Sequence, residues 1–234
     1  MIALSTILIC DDDKDIVSAL QIYLAAEGFS TLPAYTGREA LDLLKRETVD
    51  LILMDIMMPE LDGIRATMQI RENCNVPIIL LTAKSEDNDK ILGLNIGADD
   101  YVTKPINPLE VIARVKSQLR RYTSLGGQPA GADVLTVGGI TLEDRSKQVT
   151  VDGEPIPLTP IEYHILRLFL THPGQVFSTA QIYEQVWDNT AMISDNTVAV
   201  HIRHLREKIE INPAEPRYLK VVWGLGYKLD NPER

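Results

Sequence analysis

The chain has 234 residues, 45% of them hydrophobic and 24% charged, with a net charge of −10 and two cysteines. Such a length allows one large domain or two ordinary ones, and such a composition is that of a globular protein. It excludes a disulfide framework, and no window reaches the roughly eighteen uninterrupted apolar residues of a membrane helix.

The opening MIALSTILIC lacks a basic n-region and a small-residue cleavage site, so no signal peptide and a cytoplasmic location are expected. From there strand and helix patterns alternate. STILIC reads as a strand, with Cys10 a small buried hydrophobe, and KDIVSALQIYLAAEG as a helix ending at Gly28. FSTLPAY is a strand, and TGREALDLLKRE a helix capped by Thr36, with Glu39 three residues on. DLILMD, four apolar residues closed by Asp55, is a buried strand, and LDGIRATMQIRENC a helix. VPIILLTA is a strand and SEDNDKILGLNIG a helix ending at Gly97. DYVTKP is a short strand, and NPLEVIARVKSQLRRY a helix with Asn107 at the cap and Pro108 first. Five such units predict a doubly wound, five-stranded parallel sheet of the flavodoxin-like α/β class.

TSLGGQPAGA, residues 123–132, has no charged side chain and reads as a linker between domains 1–122 and 133–234. Beyond it the pattern changes. VLTVGG, ITLED, KQVTVDG and EPIPL are short strands parted by Gly and Asp turns, which predicts an antiparallel sheet. TPIEYHILRLFLTHPG, STAQIYEQVW and SDNTVAVHIRHLREKIEI are helices, and RYLKVVWGLGYKL is a hairpin turning on Gly224–Gly226. This order predicts an α+β domain, the winged form of helix-turn-helix. Acids outnumber bases in both halves, so DNA binding would need a local basic patch on an acidic body.

Asp11 and Asp12 follow the first strand, Asp55 ends the third, Thr82 the fourth and Lys104 the fifth. All five fall at the carboxyl edge of the sheet, where doubly wound folds bind ligands. Three carboxylates together repel one another unless a cation is present, and an all-oxygen set suits Mg²⁺. With that charge offset, Asp55 can attack phosphorus and form an acyl phosphate. Lys104 and the Thr82 hydroxyl can then take up the charge on the phosphoryl oxygens. A solvated helix cap is the ordinary alternative for DDDKD, but it leaves the residues at three other strand ends unexplained.

Taken in order, ILICDDD, DLILMDIMMPELDG, PIILLTA, GADDY and TKP make residues 4–121 resemble the receiver domain of two-component response regulators. LTPIEYHIL, NTVAVHIRHLREKI and VVWGLGYKL make residues 134–229 resemble the winged-helix effector domain of the OmpR/PhoB branch. The wording VWGLGYK with HIRHLREK is similar to regulators of cell-envelope stress or glycopeptide resistance. The resemblance implies that Asp55 is the phosphoacceptor, charged by a sensor histidine kinase. Asp11, Asp12, Asp55 and the carbonyl of Met57 would hold Mg²⁺, with Lys104 binding phosphate and its bond to Pro105 cis. Thr82 and Tyr101 resemble the switch pair, with Met57 and Lys84 flanking the site. A two-fold dimer on activation would use the face of helix 85–97, strand 100–104 and helix 107–122. Its residues would be Lys90, Ile91, Leu94, Asp99, Asp100, Glu110, Ala113 and Arg114, with Asn95 in place of an acidic partner for Lys116.

In the recognition helix, Val198, Ile202, Leu205 and Ile209 fall at helical spacing and are expected to face the core. Thr197, Val200, His201, Arg203, His204 and Arg206 are then expected outside, and with Asn196 and Trp223 they are the candidate contacts to promoter DNA. Trp223 stands where many relatives place an arginine; packing on sugar and closing the domain core are both open to it. Asp188–Ile193 matches the loop with which relatives touch RNA polymerase. Two rival readings exist. A phosphatase with an aspartyl nucleophile needs an acid–base carboxylate two residues on, where this chain has Met57, so no enzymatic turnover of a substrate is expected. A binding module that never takes phosphate has no use for the acidic pair and lysine that this chain keeps.

Overall fold

The computed structural model describes residues 5–83, 97–124, 134–187 and 195–231, with only the backbone described at residues 83, 121–124, 195 and 196. The chain divides into two compact units, Met1–Arg120 and Arg121–Arg234.

In the first unit β1 (Thr6–Cys10), β2 (Ser30–Ala34), β3 (Leu51–Asp55), β4 (Ile78–Ala83) and β5 (Asp100–Lys104) form a parallel sheet in the order β2-β1-β3-β4-β5. Pro33 lies in edge strand β2, where a missing N–H costs no internal ladder bond. Successive strand residues point to opposite faces, so the apolar runs feed two cores. Leu8, Cys10, Ile52, Met54, Ile78 and Leu80 pack with Ala40 of α2 (Gly37–Leu44) and with Ala66 and Ile70 of α3 (Gly63–Arg71). Ile7, Ile9, Leu51, Leu53, Ile79 and Leu81 pack with Val17, Leu20 and Leu24 of α1 (Lys14–Ala26) and with Val111, Val115 and Leu119 of α4 (Pro108–Ser124). Burial on both faces is why β3 reads as unbroken apolar sequence.

The helices start where side-chain caps supply acceptors. Asp13 Oδ1 accepts from the N–H of Asp15 and Ile16, Thr36 Oγ1 accepts from Glu39 N–H, and Glu39 reaches back to Tyr35 N–H. Asn107 Oδ1 accepts from Leu109 N–H. The helix expected over 85–97 lies outside the described residues, and so do Lys84, Lys90, Ile91, Leu94 and Asn95.

In the second unit β6 (Val134–Val137), β7 (Ile140–Glu143), β8 (Gln148–Val151) and β9 (Glu154–Pro155) form an antiparallel sheet in sequence order. Three helices follow, α5 (Pro160–Thr171), α6 (Thr179–Trp187) and α7 (Asp195–Ile209), and then the antiparallel hairpin β10 (Leu219–Val222) and β11 (Gly226–Leu229). One core joins Ile140, Leu142, Ile165, Phe169, Ile182, Trp187, Ile202, Leu205 and Leu219. Phe177 exchanges both backbone hydrogen bonds with Tyr227, which ties the α5–α6 connection to the hairpin. A Cβ at Gly226 (φ +136°) would lie 2.0 Å from the Phe177 carbonyl oxygen, so this approach requires glycine. No helix among the described residues is long and apolar enough to cross a membrane.

Candidate functional site

Parallel strands in register bring their carboxyl ends to one edge, and the chemistry collects there. Asp55 is buried at the end of β3 and Asp11 is buried just past β1, while Asp12 is exposed. One oxygen from each lies within 4.8 Å of the others. The third aspartate of DDDKD does something different: Asp13 caps α1. Lys104, from the end of β5, sets its ammonium 2.6 Å from Asp55 Oδ1 and 2.9 Å from Asp11 Oδ2. Met57 N–H donates to Asp55 Oδ2 at 2.9 Å and Asp13 N–H to Asp11 Oδ1 at 3.0 Å, so both carboxylates are held by backbone. Thr82, buried, stands at the end of β4. The Lys104–Pro105 bond is cis.

Burial drives the Asp55 carboxyl above its usual range, opposed by the Lys104 ammonium and by Met57 N–H and reinforced by Asp11. Lys104 is desolvated too, yet its bonds to Asp55 and Asp11 outweigh that and hold it protonated to higher pH. Asp11 Oδ2 is fully enclosed, with the Lys104 ammonium against it at 2.9 Å. Three converging carboxylates with one enclosed oxygen fit a hard divalent cation such as Mg²⁺.

Sequence reading passed over Gly63. A Cβ there would sit 1.9 Å from the Asp55 carbonyl oxygen, and Gly63 N–H donates to Ile56 O at 3.0 Å. The start of α3 thus lies directly against the end of β3. The signal was present in PELDG, since a glycine one residue past a cap marks close backbone approach as well as a turn.

The model for the response regulator receiver domain matches residues 7–116, and that for the C-terminal region of transcriptional regulatory proteins matches residues 153–229. The chain is 43% identical over 226 residues to the regulatory protein VanRc of Enterococcus gallinarum, covering 96% of this chain and 98% of that one. It is 41% identical to the regulatory protein VanR of Enterococcus faecium, with the same coverage. Among solved structures it is similar to DrrB, an OmpR/PhoB homologue of Thermotoga maritima, at 29% identity and a TM-score of 0.50 over 97% of this chain and 99% of that one. A mutant of RitR shares the fold at a TM-score of 0.77 and 22% identity, covering 96% and 98%.

The chain belongs to the two-component response regulators of the OmpR/PhoB type. It is a transcriptional regulator with a receiver domain and a DNA-binding domain.

Just before β5, at its start and on α4 of the regulator, three expected surface charges prove to be internal. Asp99 is fully buried, takes Arg71 Nη2 at 2.7 Å and accepts Ile78 N–H at 2.8 Å. Asp100 and Arg114, also buried, pair at 2.8 Å, and Arg114 bonds Glu110 one turn earlier at 2.9 Å. A free surface role for Asp99, Asp100 and Arg114 is therefore corrected, because a buried charge persists only where it is paired. Ala113 is exposed. Lys116, short of a partner in sequence reading, pairs with Glu27 beyond the C-terminus of α1. Tyr101 is half-buried in the core on the α2–α3 side, and in register it pairs with Leu80 while Thr82 pairs with Thr103.

Helix α7 buries Val198, Ile202, Leu205 and Ile209 as expected, but also Thr197, His201 and His204. The expectation that these three face outward is corrected. α7 packs against both α5 and α6, so its buried arc is wider than one apolar stripe, and Trp187 of α6 lies 5.5 Å from the His201 ring. Arg206 is corrected as well: its Nε donates to Leu219 O at 2.8 Å and its guanidinium lies 5.9 Å from the Tyr227 ring, so it ties the helix to the hairpin. Val200 is half-buried and Arg203 exposed. Trp223 is 91% exposed, which removes the reading in which it closes the core. The Asn196 side chain and the loop Asp188–Ile193 lie outside the described residues.

Proposed function

We propose that the protein is a phosphorylation-dependent transcriptional regulator whose Asp55 accepts a phosphoryl group from a sensor histidine kinase in the cytoplasm. One observation carries this reading: the Lys104 ammonium lies between the Asp55 and Asp11 carboxylates, at 2.6 and 2.9 Å. No structural need puts a lysine and two buried acids at the mouth of a sheet, and phosphoryl transfer needs all of them.

Asp11, Asp12, Asp55 and the Met57 carbonyl would hold Mg²⁺. When bound, the ion supplies charge neutralisation that keeps Asp55 ionised and lets an anionic donor approach. An oxygen of Asp55 then forms a bond to phosphorus while the bond from phosphorus to the kinase imidazole breaks, and the electron pair leaves on that nitrogen. Lys104 and the Thr82 hydroxyl hold the oxygens of the new acyl phosphate. Drawing Thr82 inward vacates space on the sheet face that it shares with Tyr101, and Tyr101 turns in. That repacking extends to the face around Ala113 and Glu110, where with Lys90, Ile91 and Leu94 it promotes a homodimer. Pairing raises the effective concentration of two effector domains on promoter DNA, with Arg203, Val200, Asn196 and Trp223 toward the duplex and Asp188–Ile193 toward RNA polymerase.

The test uses Mg²⁺ with acetyl phosphate and intact-mass spectrometry. One acid-stable, base-labile phosphoryl adduct is expected, absent in Asp55→Asn, together with tighter DNA binding and dimerisation. Equal DNA binding with and without the adduct defeats the coupling.

A further inference from the structure

Two consecutive aspartates, Asp99 just before β5 and Asp100 at its start, are each held by an arginine of a different helix. Arg71 closes α3, and its side chain is only 10% exposed. Four of the five N–H groups of its guanidinium are engaged. Nε donates to Gly97 O at 2.8 Å, Nη1 to Cys74 O at 3.1 Å and to Val76 O at 2.7 Å, and Nη2 to Asp99 Oδ2 at 2.7 Å. Its stem lies along Gly97, where a Cβ would come within 3.3 Å of Arg71 Cγ. Asp99 also accepts Ile78 N–H at 2.8 Å, so the arginine is fixed to the amino ends of both β4 and β5.

Asp100 takes Arg114 Nη1 on both its oxygens, at 2.9 and 2.8 Å, and Arg114 bonds Glu110. α3 and α4 cover opposite faces of the sheet. Arg71, Asp99, Asp100, Arg114 and Glu110 therefore form a run of charges that passes from one cover to the other around the start of β5. Stability alone does not call for such a run, since a buried ion pair is often no better than apolar packing of the same volume.

Both ends of the run lead to parts already described. α3 begins hard against Asp55: Gly63 N–H donates to Ile56 O at 3.0 Å, and a Cβ on Gly63 would lie 1.9 Å from the Asp55 carbonyl oxygen. An approach with no slack passes a shift of the Asp55 backbone to α3, whose nine residues carry it about 13 Å to Arg71. At the other end α4 bears Glu110 and the exposed Ala113, both on the face assigned above to the homodimer.

We propose that Arg71 is a positioning residue that couples Asp55 to the dimer face through α3, Asp99 and Asp100, by a route separate from Thr82 and Tyr101. This role rests on the phosphorylation reading above and gives that site a second path of output.

For the test, the full chain is labelled with acetyl phosphate and Mg²⁺, the adduct is followed by intact-mass spectrometry, and sedimentation gives the dimer dissociation constant with and without it. The ratio of the two constants measures the coupling. The main variant combines Arg71→Met with Asp99→Asn, which strands no charge and keeps an oxygen for Ile78 N–H. It is expected to take the phosphoryl group as the parent does while its ratio falls about tenfold. Arg71→Lys keeps the charge but not the fork. It is expected to move the ratio the same way, and it carries the test if the double variant does not fold. Leu24→Val, which loosens the core under α1 on the other face, is expected to lower the first calorimetric transition and leave the ratio alone. Arg71 variants with the parent's ratio overturn the proposal. An equal fall in Leu24→Val overturns it too, since the effect is then one of stability, and so does loss of labelling in a folded Arg71 variant. If the parent takes no phosphoryl group, or takes it with no change in dimerisation, the phosphorylation reading itself falls and this role falls with it.

Discussion

His201 makes the effector domain acid-sensitive well above the range where carboxylates titrate. Its ring is 1% exposed, lies 5.5 Å from Trp187, and among the described residues its Nε2 has no hydrogen-bond partner. Burial pushes it down from the ordinary 6.5 to about 3, with neighbouring His204 and Lys208 acting in the same direction. The folded pKa is depressed, so between those two values the unfolded chain binds a proton that the folded chain refuses. Stability is complete above the unfolded value and falls as pH drops below it, at about 1.4 kcal/mol per pH unit. From pH 7.5 to pH 5 the loss integrates to about 2 kcal/mol, a large share of a domain's 5–15 kcal/mol. His204, depressed chiefly by burial, adds in the same direction. Both tryptophans lie in the second unit, so urea unfolding of the full chain followed by tryptophan fluorescence reports that unit alone. Buried Trp187 gives the transition. The parent is expected to lose about 2 kcal/mol between pH 7.5 and pH 5, and His201→Gln, which cannot take the proton, to lose distinctly less. A parent midpoint that does not move over this range, or an equal loss in His201→Gln, refutes the assignment.

Two further substitutions probe close approaches. Gly63→Ala places a methyl 1.9 Å from the Asp55 carbonyl oxygen; overpacking of this kind costs about 1–3 kcal/mol. It is expected to lower the first transition in calorimetry of the full chain and to slow acetyl phosphate labelling of Asp55. Glu210, buried just past α7, accepts the N–H groups of Arg217, Tyr218 and Leu219 at 2.8, 3.0 and 2.8 Å. Glu210→Ala strands these donors at roughly 1–3 kcal/mol for each buried one, so the fluorescence transition is expected to shift by at least about 2 kcal/mol. An unchanged midpoint would show that water replaces the carboxylate.

Much of the fold was legible because its signals are local. Thr36 and Asn107 each cap a helix through bonds spanning two or three residues, and an apolar run such as LILM has few homes other than a covered parallel strand. The edge where Asp11, Asp55, Thr82 and Lys104 collect was legible for a related reason. In a parallel sheet every strand ends on the same side, so residues that close strands must meet. The faces around α4 and α7 were not legible in this way. Asp99, Asp100 and Arg114 look like surface charges in sequence, yet all three are buried in ion pairs. Thr197, His201 and His204 fall outside the apolar stripe, yet α5 and α6 both cover that side of α7.

By itself, then, the order of residues determined which segments become strands and helices, how they alternate, and which acids and lysine gather at the strand ends. Only the tertiary structure decided which polar side chains reach solvent. That depends on how many neighbours a helix has and what they offer: Arg206 turned inward because Leu219 O lies within its reach, and Trp223 stayed out because nothing among the described residues of the domain packs against the hairpin apex. Helical periodicity defines a direction around one axis, whereas exposure is set by everything that surrounds it.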